Sequence, residues 1–213
     1  MIEYHKIDSV YFRDPENRHK TFLEGQWTRP EFEYLARNEW TWTEKVDGTN
    51  IRVKIDNGNV TFGGRTAAAQ IPATLITLLN DMFPAGLILH DHKEEPIKSP
   101  VTLYGEGYGA KIQKGGGNYK LGGQDFVLFD VMINGVWLKR DAICAIAEKL
   151  NIKVVPIIGR GSLIDAIKHV KEGFDSKWGL FLAEGLVCRP SVDMLNREGH
   201  RIITKIKHRD FVR

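Results

Sequence analysis

The chain has 213 residues, 42% of them hydrophobic and 27% charged, the composition of an ordinary globular protein with a real core. No apolar run approaches the roughly 20 residues of a membrane-spanning helix, and "MIEYHKIDSV" has no signal-peptide core, so a cytoplasmic location is expected. A net charge of +3 is too small to indicate nucleic acid by itself.

In chain order, the patterns predict a helix over Pro30–Arg37 and strands over Trp40–Val46, Ile51–Ile55 and Val60–Gly63. The last two are joined as a hairpin by "DNGN" at 56–59, residues that tolerate positive φ. A helix at Ala73–Phe83 and an exposed loop at 84–100 lead to a strand at Val101–Gly105. The stretch 105–123 holds eight glycines. Strands follow at Phe126–Ile133 and Val136–Leu138, turned by Asn134-Gly135. Next come a helix at Arg140–Leu150, a strand at Lys153–Ile157 and a helix at Leu163–Lys171, opened by Ser162 with Asp165 three residues on. Strands at Gly185–Cys188 and Arg201–Lys207 close the chain. Strands outnumber helices and hairpins imply antiparallel pairing, which predicts an α+β fold: one domain, 1–213, of antiparallel sheets with flanking helices. Cys144 and Cys188, both in apolar runs, are expected as buried free thiols, with one disulfide as the alternative.

Lys45 stands where a strand gives way to the turn Asp47-Gly48, a better place for a reactive group than for packing. Gly105-x-Gly107-x-x-Ala110 looks like a dinucleotide fingerprint, but no apolar helix follows to receive a pyrophosphate. The stretch reads as a mobile loop whose Lys111, Lys114 and Lys120 can meet a phosphate backbone, or as a plain flexible loop. "HDHKEE" at 90–95 fits no standard metal-ligand spacing and reads as a solvated charge run. Acids and bases at strand ends are more informative. Glu106 closes one strand, Glu184 opens another, and Asp130 lies in an apolar strand where a carboxylate is costly without a partner. Lys205 and Lys207 share one strand face, within a basic tail that also holds Arg197, Arg201, Arg209 and Arg213.

In this order the motifs resemble those of the covalent nucleotidyltransferases, the polynucleotide ligases and capping enzymes. The stretches are "KVDGTN" at 45–50, "GGRT" at 63–66, "LYGEGYG" at 103–109, "FVLFDVMINGVWL" at 126–138, "EGLVCRP" at 184–190 and "KIK" at 205–207. Thr49-Asn50, where capping enzymes and most DNA ligases carry an arginine, is similar to the ATP-dependent RNA ligase 2 branch. The resemblance implies a nucleotidyltransferase domain, here without an OB-fold, because the chain stops six residues after Lys207. It implies that Lys45 attacks ATP, that Lys205 and Lys207 bind phosphate and assist catalysis, and that Phe129 stacks on adenine. Glu106 would hold the ribose, Asn50 and Arg65 would contact phosphate and terminal sugar, Glu44 would help position adenine, and Asp130 would orient a neighbouring cation. Glu184 would hold Mg²⁺, or Mn²⁺ in its place. The expected partner is RNA with 5′-phosphate and 3′-hydroxyl ends, acted on by a monomer, with a partner protein as a possible replacement for the absent domain. DNA ligase or capping chemistry, and a non-catalytic RNA-binding module, are the alternatives.

Overall fold

The computed structural model describes residues 2–211. The strands are β1 (Asp8–Ser9), β2 (Tyr11–Arg13), β3 (Phe22–Trp27), β4 (Trp40–Glu44), β5 (Thr49–Asp56), β6 (Asn59–Gly63), β7 (Val101–Gly109), β8 (Gln124–Ile133), β9 (Val136–Trp137), β10 (Lys153–Val154), β11 (Ile157–Gly161), β12 (Gly185–Pro190) and β13 (Thr204–Lys207). The helices are α1 (Pro30–Tyr34), α2 (Ala73–Met82), α3 (Gly116–Tyr119), α4 (Arg140–Lys149) and α5 (Leu163–Glu172). They form two compact units, one of residues 1–5 and 47–155, the other of residues 6–46 and 156–213.

In the first unit the sheet order is β10-β8-β7-β5-β6, with β9 paired to β8. All pairs are antiparallel except β10 with β8. The two predicted hairpins form as their turn residues require, with Asn57-Gly58 and Asn134-Gly135 all at positive φ. One sheet face packs on α2 and α4, through Leu75, Leu79, Ile143 and Ala147 against Ile51, Val53, Leu103, Phe126 and Leu128. β7 runs four residues past its expected end at Gly105. Its glycines are packing glycines: a Cβ on Gly105 would sit 2.2 Å from the Phe126 ring, and one on Gly107 2.5 Å from Leu75. Low strand propensity yields to that close fit.

In the second unit the sheet order is β1-β13-β12-β4-β11, with β2 and β3 as a separate pair. The three N-terminal strands are not among those predicted; β1 and β2 are only two and three residues long, and the left-handed Arg18 and His19 turn the chain between β2 and β3. α5 covers this unit's core with Leu163, Ala166, Ile167 and Val170, the i, i+3, i+4, i+7 stripe of an amphipathic helix. Its capping box is complete: Ser162 Oγ accepts the Asp165 N–H, and Asp165 accepts the Ser162 N–H. The strand expected over 153–157 is two strands, β10 and β11, separated at Val155-Pro156, where proline has no N–H for a ladder. The cysteine expectation needs one correction. Both thiols are free, but only Cys188 is buried, and Cys144 is exposed on α4 because it falls off the Ile143–Ile146–Ala147 stripe. Burial without a charged partner pushes the Cys188 thiol far up, which makes it inert.

Candidate active site

Lys45 is the first residue beyond β4. Its backbone N–H donates to the Gly185 carbonyl at 2.9 Å, so the β4–β12 ladder still fixes its position. Glu184 directly precedes β12, and its own carbonyl accepts the His208 N–H at 3.0 Å. Lys207 stands opposite Gly185 across the β12–β13 ladder. These registers bring three motif residues to one point. The Glu184 carboxylate receives Lys45 Nζ on Oε2 and Lys207 Nζ on Oε1, each at 2.7 Å. Close strand approach makes this possible: a Cβ on Gly185 would lie 2.0 Å from the Ile206 carbonyl oxygen. Burial pushes the Glu184 carboxyl up, but the Lys45 and Lys207 ammonium groups prevail and hold it below the usual carboxylate range. Lys205, half-buried, lies two residues from Lys207 on the same face of β13, opposite Val187.

Glu44, on β4 beside Lys45, has a different setting. It is 1% exposed, and its carboxylate accepts the Ser176 hydroxyl at 2.5 Å and the Lys177 N–H at 2.9 Å. Burial raises its pKa, and those hydrogen bonds oppose the rise. Here Glu44 pins the loop between α5 and β12. Nothing local in the sequence singled out Ser176 or Lys177.

In the unit of residues 1–5 and 47–155, Asn50 on β5 stands directly opposite Glu106 on β7. The Asn50 Oδ1 atom is buried and accepts no hydrogen bond among the described residues. An orphaned acceptor of that kind is open to a donor from water or a ligand. Gly48 permits the approach of these strands, since a Cβ there would lie 2.3 Å from the Gly107 carbonyl oxygen and 2.7 Å from Glu106. The register of β8 against β7 skips Phe129, so that Leu128 faces Gly105 and Asp130 faces Tyr104. This bulge re-aims two successive side chains towards one residue. Phe129 meets the Tyr4 ring at 5.1 Å, and Asp130 accepts the Tyr4 hydroxyl at 2.6 Å. One partner of the buried Asp130 is thus Tyr4, 126 positions away and invisible to sequence pattern. Arg65 is exposed. It follows Gly64, whose carbonyl is fixed by Nε of the buried Arg52 at 2.7 Å. Arg213 of the basic tail lies outside the described residues.

The sequence matches the RNA ligase family over residues 38–207, four fifths of the chain, from just before β4 to the end of β13. The chain belongs to that family. Among solved structures, it is similar to the Naegleria gruberi RNA ligase with PPi, with 20% identity and a TM-score of 0.63 over 97% of this chain and 56% of that one. Mutant forms of that ligase with ATP and Mn, and with AMP and Mn, give 19% identity and a TM-score of 0.62 at the same coverage. At such identity the likeness concerns the fold, and this RNA ligase family chain spans little more than half the length of those proteins. No helix among the described residues is long and apolar enough to cross a membrane.

Proposed function

We propose that the protein is an ATP-dependent RNA ligase of the RNA ligase 2 type, both compact units being parts of one nucleotidyltransferase domain. The observation that carries the proposal is the Lys45–Glu184–Lys207 cluster, which sets a lysine at the end of a strand among a carboxylate and a second ammonium. To react, Lys45 leaves the Glu184 oxygen and gives one proton to water. Its neutral Nζ then attacks the α-phosphorus of ATP, forming a P–N bond as the P–O bond to pyrophosphate breaks, and a second proton passes to water. An oxygen of the RNA 5′-phosphate next attacks the same phosphorus, forming a P–O–P bond as the P–N bond breaks, and Lys45 regains its protons from water. The 3′-hydroxyl, losing its proton to water, attacks the RNA 5′-phosphorus, forming the phosphodiester as the P–O bond to AMP breaks. Lys207 and Lys205 neutralise phosphate oxygens where charge develops. Phe129 stacks on adenine, Glu106 holds ribose hydroxyls, and Asn50 and Arg65 meet phosphate and terminal sugar, Asn50 with its orphaned acceptor turned to a sugar hydroxyl.

The donor set fits a lightly held hard cation. No group of three or more His, Cys, Asp or Glu residues that could cage a metal occurs among the described residues. Both Glu184 oxygens hold ammonium groups at 2.7 Å, so Oε2 becomes a metal donor only once Lys45 leaves it. Mg²⁺ is commonly held by one or two carboxylates with water and substrate phosphate supplying the rest. Mg²⁺ or Mn²⁺ on Glu184 would supply charge neutralisation at the phosphates. Incubation with labelled ATP or GTP and Mg²⁺, followed by denaturing gel analysis, tests the reading. Acid-labile label from ATP is expected, and it should vanish in Lys45→Met. Stronger label from GTP would move the protein to capping chemistry, and label persisting in Lys45→Met would remove Lys45 from its role.

A further inference from the structure

The segment between β7 and β8 has no part in the reaction above. From Gly107 to Gln124 it contains Lys111, Lys114 and Lys120 and no acidic residue. A mobile or plain flexible loop is expected there, and the structure gives it a hydrogen-bonded base. The Ala110 N–H donates to the Gly123 carbonyl at 2.8 Å, and the Gln124 side-chain amide to the Ala110 carbonyl at 3.1 Å, closing its base. Tyr119, buried on α3, meets Tyr108 at 6.0 Å between ring centroids, and Ile112 packs on the core of its unit. Glycine lets the loop lie close to its neighbours. A Cβ on Gly116 would sit 2.6 Å from the Gly109 carbonyl oxygen, and one on Gly115 2.9 Å from Asp47 Oδ2. The loop therefore rests against the carboxylate two residues past Lys45.

On this frame Lys111 and Lys114 are exposed, and neither has an ion-pair partner among the described residues. Lys120 reaches Asp125 at 3.4 Å, and Leu121 is 91% exposed. We propose that this loop is a docking surface for the RNA strand, with Lys111 and Lys114 on its phosphates and Leu121 covering a sugar or base. Charge complementarity selects the ligand. Exposed lysines are screened and individually weak, so they favour a polyanion offering several phosphates, whose counterions are released on binding, over one small nucleotide. The proposal rests on the reading of the protein as an RNA ligase.

The test measures binding of a short 5′-phosphorylated RNA oligonucleotide across a salt series, with Lys45–AMP formation followed in the same preparations. Lys111→Ala/Lys114→Ala should reduce the slope of log K against log salt by about 2 and the affinity at low salt by about tenfold. Leu121→Asp should weaken binding at fixed salt. Unchanged slope and affinity in both variants overturn the proposal. So does loss of Lys45–AMP with RNA affinity intact, because the loop would then serve the phosphates of ATP. Absence of label in the parent protein overturns the ligase reading instead, while the salt slopes still judge the loop.

Discussion

The two groups of motif residues differ in what they already have. Around Glu184 the charges satisfy one another, with two ammonium groups on one carboxylate inside a five-stranded sheet. Around Asn50, in the other sheet, a cross-strand pair leaves a buried acceptor with no donor among the described residues. The first arrangement is held by its own charges. The second is set by backbone register and keeps its acceptor open. Removing a residue from the first should therefore affect stability and chemistry together, whereas removal from the second should affect ligand binding alone.

Glu184→Ala should break that contrast most severely. It leaves two part-buried ammonium groups without their carboxylate, so it should cost about 3 kcal/mol of stability in denaturant titrations and abolish the Lys45–AMP label. Lys207→Ala comes next, with label formation falling about a hundredfold. Lys205→Ala should also lower label formation, but by less than Lys207→Ala, whose Nζ sits 2.7 Å from Glu184 Oε1. An equal loss in both would mean that phosphate binding outweighs the ion pair. Gly185→Ala should destabilise by about 2 kcal/mol, since its methyl would push β12 off the Ile206 carbonyl, and thermal unfolding will report it. Asn50→Ala should raise the KM for ATP about tenfold with the melting temperature unchanged, and a fall in melting temperature would place Asn50 among structural residues.

The smallest effect is in pH, where the part-buried Glu184 and the buried Glu44 should behave oppositely. The folded-state pKa of Glu184 lies below the usual glutamate value of 4.5, so its contribution is full above that pH and is lost as pH falls through the folded value. Glu44 is raised, so its ionised form costs stability above its folded-state pKa, a cost relieved as pH falls through that value towards 4.5. Denaturant titrations of Glu184→Gln and Glu44→Gln across the acid range should show one losing the acid-side decline and the other losing the acid-side gain. Parallel curves would show that the two carboxylates share one environment.

The sequence by itself determined the α+β class, both two-residue hairpin turns, the capping box of α5 and the order of the motifs. These are local signals: turn residues with positive φ, a serine three residues before an aspartate, alternation along strands. It also placed Lys205 and Lys207 on one face, since strand alternation is a property of the backbone. Only tertiary structure decided where those faces point. Lys45, Glu184 and Lys207 converge because of inter-strand register, which no segment carries alone. The bulge at Phe129 turns two successive side chains towards Tyr4, against the alternation that sequence reading assumes. The glycines of β7 read as loop by propensity, yet they form a strand because Phe126 and Leu75 fill the space that their absent side chains leave. Packing and register are relations between distant segments, and they overrode local preference wherever the two disagreed.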